Sequence, residues 1–335
     1  MKVCIFGAGA VGGYVAARLC QAGQTEVSVV VRGAHKAAIE RDGLQVESGG
    51  KHFTVRPTHI TDDPATLPEQ DLVFVSLKTT AQAGVAHAVA SLMGKNGCAV
   101  YAANGIPWWW KFGSADPAAL PLLDPDGALW REVNPSRVMG CIVYSANEVI
   151  APGLIRHLGN NRWVVGEPGG LITPRLEQTV ARLREGTLNA ETSTDLRREI
   201  WIKLLRNASV NTLCTLTRLP VDGLAEDPEL LAQGDALIGD IVRVAAADGY
   251  DITAQGDAAI ESLRRGGAER DAPPVRGLRP SMLQDALAGR PLEVEAILGQ
   301  VQSLAREADT PVPAIDAALP LLRALDRSLR ANVTR

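Results

Sequence analysis

Gly7, Gly9 and Gly12 stand at GxGxxG spacing in the stretch GAGAVGG, directly after the apolar run Val3 to Phe6. They open a segment, Val11 to Ala22, that reads as a helix closed by Gly23. Each glycine meets a different need: a tight turn, close approach of the backbone to a pyrophosphate, and close packing of helix on strand. A helix that begins here aims its unpaired N–H groups and the positive end of its dipole at the anion. With Ala8, Ala10 and Val11 between the glycines, this is the candidate cradle for a dinucleotide; the alternative is a glycine-rich turn with no ligand. About 20 residues on, a second apolar run, Val27 to Val31, ends in Arg32. An acidic side chain there would receive a ribose 2′-hydroxyl, whereas an arginine accommodates a 2′-phosphate, so NADP is expected over NAD. Lys36 lies one helical turn further and offers a second positive charge. Asp71 to Leu77 and Cys98 to Ala103 repeat the fully apolar strand pattern and run into Lys78 and into Asn104-Gly105. The carboxyl ends of parallel strands are where doubly wound sheets bind ligands, which places Lys78 and Asn104 towards the cofactor.

A second group of polar residues lies far along the chain. Lys203, Asn207 and Asn211 stand at i, i+4 and i+8 in a helix expected from about Leu196 towards Thr217, with Ser193, Thr194 and Asp195 as N-cap candidates. Four residues exceed one turn only slightly, so the three project along one face. Asparagine is a poor residue for a helix interior, and its repetition asks for a reason; packing amides beside a surface lysine remain the alternative. Further on, Ser281 opens SMLQD, and Pro291 at a first helical position puts Glu293 in an opening turn, where free N–H groups favour a carboxylate.

The elements that must carry these residues fall into two sets. A doubly wound parallel sheet of Rossmann type is expected over residues 1–192, and an all-helical domain over residues 193–335. Gly43 to Val55 reads as a loop and one strand, and Asp116 to Pro135 as an excursion from the sheet. Arg137 to Ala146 resumes strand character, and Gly153 to Gly159 and Arg162 to Gly166 read as short antiparallel strands, with His157 structural. No strand is expected after Thr173. Pro174 to Arg184, Asp227 to Ala247, Thr253 to Arg265, Pro291 to Glu307 and Ala314 to Arg330 carry helical periodicity, and Ala268 to Arg279 is a Pro/Gly/Arg-rich connection. After Asn104 come Pro107 and then Trp108, Trp109 and Trp110, rings that either wall a substrate pocket or pack a domain interface.

Composition narrows the class. With 335 residues, 46% of them hydrophobic and 21% charged, the chain has material for two domains with sizeable cores. A formal net charge of −4 lacks the basic excess of a nucleic-acid binder. Five cysteines, an odd number without CxxC or Cys/His spacing, read as free thiols of a reducing compartment, with neither disulfides nor a metal site. No run reaches the length of a membrane span, and a strand beginning at Lys2 leaves no room for a signal peptide, so a cytoplasmic enzyme is expected.

Taken together, these residues resemble the ketopantoate reductases (2-dehydropantoate 2-reductases). The resemblance runs through GAGAVGG, Leu77-Lys78-Thr79, Asn104-Gly105, Pro152-Gly153, His157-Leu158-Gly159, Gly166-Glu167, Lys203 with Asn207 and Asn211, SMLQD followed by Glu293, and Thr310-Pro311-Val312-Pro313. It implies NADPH-dependent reduction of a 2-oxo acid, ketopantoate to pantoate in the family's type reaction. By the same resemblance Lys203 is the general acid and Glu293 contacts the substrate hydroxyl and supports the lysine. Asn207, Asn211 and Ser281 hold the substrate, Lys78 and Asn104 line the nicotinamide end, and Arg32 meets the 2′-phosphate. A lysine's ordinary pKa of about 10.4 is high for proton donation at neutral pH, so partial burial in an interdomain cleft is expected to lower it. The departure is the tryptophan cluster, which implies a pocket narrower, flatter or more apolar than ketopantoate needs. Alternatives are a family reductase or dehydrogenase for another 2-oxo or 2-hydroxy acid, or a non-catalytic NADP-binding sensor; retention of both Lys203 and Glu293 favours an enzyme. A small 2-oxo acid and a second copy in a homodimer are the expected partners.

Overall fold

The structure is a computed structural model that describes residues 1–267 and 276–333. Residues 268–275 of the expected connection lie outside the described residues. The chain divides into two compact units, Met1–Ala103 with Pro107–Leu196, and Asn104–Ile106 with Arg197–Arg335.

The first unit is built on one ten-stranded sheet. Its strands are β1 (Lys2–Phe6), β2 (Glu26–Val30), β3 (Leu44–Ser48), β4 (Lys51–Val55), β5 (His59–Thr61), β6 (Leu72–Val75), β7 (Cys98–Tyr101), β8 (Val138–Ala151), β9 (Leu154–Gly166) and β10 (Asn189–Ser193). In space they run β4-β3-β9-β8-β7-β6-β1-β2-β5, with β10 paired to β9. The stretch β5-β2-β1-β6-β7-β8 is parallel throughout and has the crossover order of a dinucleotide-binding sheet, with its switch point between β1 and β6. Val3, Ile5, Val27, Val29, Leu72 and Phe74 on one face and Cys4, Phe6, Val30, Val73 and Val75 on the other are all buried, as strands covered on both faces require. The helices of this unit are α1 (Ala10–Ala22), α2 (Gly33–Asp42), α3 (Thr79–Gln82), α4 (Ala86–Met93) and α5 (Pro174–Glu185).

Three details of the sheet depart from the sequence reading. Residues 44–55 form a hairpin of two strands, and β3 crosses to the far side of the sheet to pair with β9. Residues 154–166 are one continuous strand. The gap left between the two short strands expected at 153–159 and 162–166 is instead a step in the pairing with β8, from Tyr144↔Arg162 to Ala146↔Gly159, an irregularity absorbed by Asn160 at φ +53°. A strand also follows Thr173, since β10 pairs in parallel with β9 despite the polar sequence NAETS. An edge position explains that polarity, because only alternate side chains need cover there.

The second unit is helical: α6 (Leu196–Arg206), α7 (Thr212–Thr217), α8 (Val221–Ala225), α9 (Pro228–Ala247), α10 (Thr253–Arg264), α11 (Ser281–Leu287), α12 (Gln300–Glu307) and α13 (Pro313–Val333). The expected helix 196–217 is interrupted by a π turn, Asn207–Asn211, and the expected helix from Pro291 begins only at Val294 and opens with another π turn, Glu295–Gly299. The late start has a local cause. The Leu292 N–H is taken by Asp326 Oδ1 of α13 at 2.7 Å, and the first backbone bond into the helix, Ile297 N–H to Glu293 carbonyl, makes Glu293 the capping residue and not a member of the opening turn.

Candidate active site

The glycine loop is closed on one side and open on the other. Gly7 has φ +98°, a conformation that L side chains rarely adopt. A Cβ on Gly12 would stand 2.1 Å from Ser76 Oγ and 2.4 Å from the Gly7 carbonyl oxygen, so only glycine lets α1 sit this close to the sheet. Ser76 holds the joint by donating its hydroxyl to the Gly7 carbonyl at 2.6 Å. Gly9 is the opposite case, exposed, with nothing within 4 Å of where its Cβ would be. It caps α1 without any side-chain bond to the helix's first N–H groups. Ala8 is buried beneath the loop, and Ala10 and Val11 are half-buried in the first turn. An uncapped helix start beside a backbone open to close approach fits a pyrophosphate, so these residues suit a dinucleotide.

Around the loop, Arg32 is exposed at the N-cap of α2, immediately after β2. Lys36 is met by Asp62 at 3.1 Å and Glu40 at 3.4 Å, and the hydrogen bond to Asp62 leads the effects that push its pKa up. Its expected second positive charge is thus answered within the protein. Lys78 is half-buried at the start of α3, beyond the end of β6. His157 stacks on Tyr14 with ring centroids 4.6 Å apart and bonds Ser48 Oγ and the Asn160 carbonyl, a structural arrangement. His35, which sequence reasoning passed over, bonds the Ala8 carbonyl through Nε2 and receives the Gly153 N–H on Nδ1, both at 2.8 Å. A histidine three residues after Arg32 was the available signal.

In the second unit, the short segment 104–106 is pinned to the π turn 295–299. Ile106 N–H donates to the Ala296 carbonyl at 2.8 Å, and Gly105, at φ +84°, leaves room only for a hydrogen where its Cβ would stand 2.3 Å from the same oxygen. Asn104 is thereby held between two other polar side chains. Its Nδ2 donates to Glu293 Oε2 and its Oδ1 accepts from Asn207 Nδ2, each at 3.5 Å, the outer limit of hydrogen bonding. The two π turns lie against each other, and such turns recur at functional sites. Lys203 sits four residues before Asn207 in regular helix, so the two share a face. Asn211 ends the π turn and is buried; because an i→i+5 turn takes more residues per revolution than 3.6, it does not continue the drift of a straight α-helical row. Ser281 is exposed as the first residue of α11, which packs on α7 and on the same π turn. Arg323 of α13 fixes the second turn, its Nε and an Nη reaching Glu295 at 2.8 and 2.6 Å.

The structure therefore brings Asn104, Asn207 and Glu293 into one group. The sequence places Asn104 at a strand end; its membership of the second unit depends on the fold of residues 293–299 and has no signal in its own neighbourhood. Trp108, Trp109 and Trp110 are all buried, at 1, 1 and 3% exposure. Trp108 stands edge-on to Tyr101 of β7, with centroids 5.4 Å apart, and Trp109 covers Gly140 of β8.

The pattern described as ketopantoate reductase PanE/ApbA matches residues 3–170, and its C-terminal counterpart matches residues 195–326. A 2-dehydropantoate 2-reductase of Mesorhizobium japonicum is 37% identical over 328 residues, 97% of this chain and 98% of that protein. A Ralstonia solanacearum protein provisionally identified as a ketopantoate reductase superposes with a TM-score of 0.88 at 34% identity, covering 98% of each chain. D-mandelate dehydrogenase, solved with NADH and anilino(oxo)acetate, shares the fold at 20% identity and a TM-score of 0.82, covering 98% of this chain and all of that one. No described helix is long and apolar enough to cross a membrane. With both halves matched in order and a relative of this identity over nearly the whole chain, the protein belongs to the ketopantoate reductase family and is a 2-oxo acid reductase of the nicotinamide-dependent oxidoreductases.

Proposed function

We propose that the protein reduces 2-dehydropantoate to pantoate with NADPH. The observation that carries this reading is the grouping of Asn104, Asn207 and Glu293 in the second unit with Lys203 one helical turn away, in a chain similar over its length to a 2-dehydropantoate 2-reductase. NADPH, when bound, supplies hydride to the C2 carbonyl carbon. Lys203 meets the negative charge that grows on the carbonyl oxygen and gives it a proton from Nζ, both stabilising and completing the new hydroxyl. Glu293, held by Asn104, accepts a hydrogen bond from that hydroxyl and orients the lysine. Asn207, Asn211 and Ser281 supply neutral hydrogen-bonding groups for the acid's polar atoms.

Residues 1–192 hold the cofactor in this reading, and residues 193–335 hold the acid. Gly7, Ala8, Gly9, Ala10, Val11 and Gly12 form the pyrophosphate cradle, and Lys78 serves the nicotinamide half. Arg32, exposed at the head of α2, pairs with the 2′-phosphate, a charge-assisted and often bidentate contact. The test is NADPH oxidation by the purified protein over a panel of branched, linear and aromatic 2-oxo acids. Highest kcat/KM on 2-dehydropantoate is expected. Turnover confined to other acids overturns the substrate, and binding of NADPH with no turnover on any acid favours a sensor.

A further inference from the structure

We infer that His35 is a positioning residue that ties the head of α2, and with it Arg32, to the pyrophosphate loop, and so sets the preference for NADPH over NADH. The inference rests on the cofactor reading above. The loop is hooked at three points. Gly7 N–H reaches the Val30 carbonyl at the end of β2 at 3.0 Å, Ser76 holds the Gly7 carbonyl from beyond β6, and His35 holds the Ala8 carbonyl from α2. Only the third comes from the element that carries Arg32. The two ring nitrogens have fixed roles. Nδ1 accepts the Gly153 N–H, so in the neutral ring the proton lies on Nε2, where it is donated to Ala8. The ring is thus a rigid strut from the β8–β9 turn through α2 to the loop, and that turn packs on α2 closely enough that a Cβ on Gly153 would lie 3.0 Å from Ala38 Cβ.

A strut of this kind works in one protonation state. An imidazolium carries N–H on both nitrogens, so it would face the Gly153 N–H with a second donor. Burial holds the imidazole below its ordinary value, opposed by the bond to Ala8, and this favours the neutral ring. The sign follows: the contact is complete above about pH 6.5 and is lost as pH falls through the lowered value. The surrounding charges are largely paired with each other. On α2 itself these are Arg32, Lys36 with Glu40, and Arg41 with Asp42; after β4 comes Arg56, bonded to the Glu40 and Arg41 carbonyls; from β5 and its end come His59 with Glu26 and Asp62 with Lys36; from β3, β8 and β9 come Glu47 and Glu148 with Arg156. Residues 7–13 and 151–154 contain no ionisable side chain.

The test is titration of NADPH and NADH against the full-length protein from pH 8 down to the lowest pH at which it stays folded, for the parent, Arg32→Ala, His35→Phe and His35→Gln, with the His35 ring's protonation followed by NMR over the same range. Phe keeps the ring volume without either hydrogen bond, and Gln keeps a donor and an acceptor that do not titrate. At pH 8, His35→Phe is expected to bind NADPH about tenfold more weakly, the scale of one lost buried hydrogen bond, and NADH with a smaller loss. His35→Gln should stay near the parent at pH 8. As pH falls through the value at which the His35 ring gains its proton, the parent should lose more NADPH affinity than His35→Gln; titration of the 2′-phosphate is common to both and cancels. If Arg32→Ala removes the preference but His35→Phe leaves it intact, or parent and His35→Gln fall in parallel through the pH range in which the His35 ring gains its proton, the role of His35 is overturned while the cofactor reading stands. If the parent does not prefer NADPH, or Arg32→Ala keeps a preference, the cofactor reading itself fails. Should His35→Phe not fold, the pH comparison with His35→Gln decides.

Discussion

Ser76 and Gly12 meet across the joint between β6 and α1 with no room for a methyl group: the hydroxyl oxygen lies 2.1 Å from where a Gly12 Cβ would stand. Gly12→Ala is therefore expected to cost about 1–3 kcal/mol or more of stability, the range for overpacking a tight core, and to weaken NADPH binding by lifting α1 off the loop. Adding Ser76→Ala should return part of the loss and not all, because the Gly7 carbonyl at 2.4 Å still obstructs the methyl. Urea unfolding of the two single variants and the double variant measures this; a Gly12→Ala protein as stable as the parent contradicts the packing account.

What the sequence disclosed and what it hid divide along a physical line. The glycine loop and α1 with its Gly23 cap were legible because glycine geometry is local, and α5 and α9 because helical periodicity is; their Thr173 and Asp227 caps appear only in the structure. The family signature was legible for the same reason, being carried by short motifs. Long-range pairings were not: β3 reaching β9, the parallel β10 and the bulge at Asn160 follow from the whole sheet. In the site, Lys203 and Asn207 on one face came from helical spacing alone, whereas the two π turns, and the grouping of Asn104 with Glu293, depend on packing between segments nearly 200 residues apart.

Lys203→Ala should lower kcat by roughly two to four powers of ten, the usual contribution of a positioned proton donor, and leave the affinity for NADPH largely unchanged. The cradle proposed for the cofactor comprises residues 7–12 and 32, at the heads of α1 and α2, whereas the lysine belongs to α6. Stopped-flow hydride transfer and a separate NADPH titration resolve the two quantities. Near-parental turnover would falsify the assignment of Lys203 as the acid.

Arg323 holds Glu295 in a two-point contact at the head of the second π turn, and Glu295 in turn fills the space a side chain at Gly299 would need. Arg323→Leu should cost about 1 kcal/mol or less in stability, because the pair is about one-third exposed. It should nonetheless raise KM for the 2-oxo acid severalfold, since Glu293 and Ile297 share the first bond of the same turn. Urea unfolding and steady-state kinetics test the pair. An unchanged KM together with an unchanged kcat separates the π turn from the substrate site.

The tryptophans give the sharpest division between packing and selection. Trp109 lies where Gly140 has no side chain: a Cβ there would stand 2.6 Å from Trp109 Cζ2 and 2.6 Å from Leu196 Cδ2. Such a fit between ring and glycine is a packing relationship, and the near-complete burial of all three rings agrees with it. Trp109→Ala should cost about 3–5 kcal/mol, the scale for deleting a large buried aromatic ring. Gly140→Ala should also destabilise, and the double variant should lose less than the sum, because removing the ring opens space for the methyl. In the same proteins the ratio of kcat/KM between a small branched and an aromatic 2-oxo acid should stay at the parental value. A side chain that walls the substrate would instead shift that ratio, since one methylene in an apolar pocket is worth about 1–3 kcal/mol. A shifted ratio in Trp108→Ala, Trp109→Ala or Trp110→Ala with an unchanged melting temperature would return the cluster to the substrate pocket.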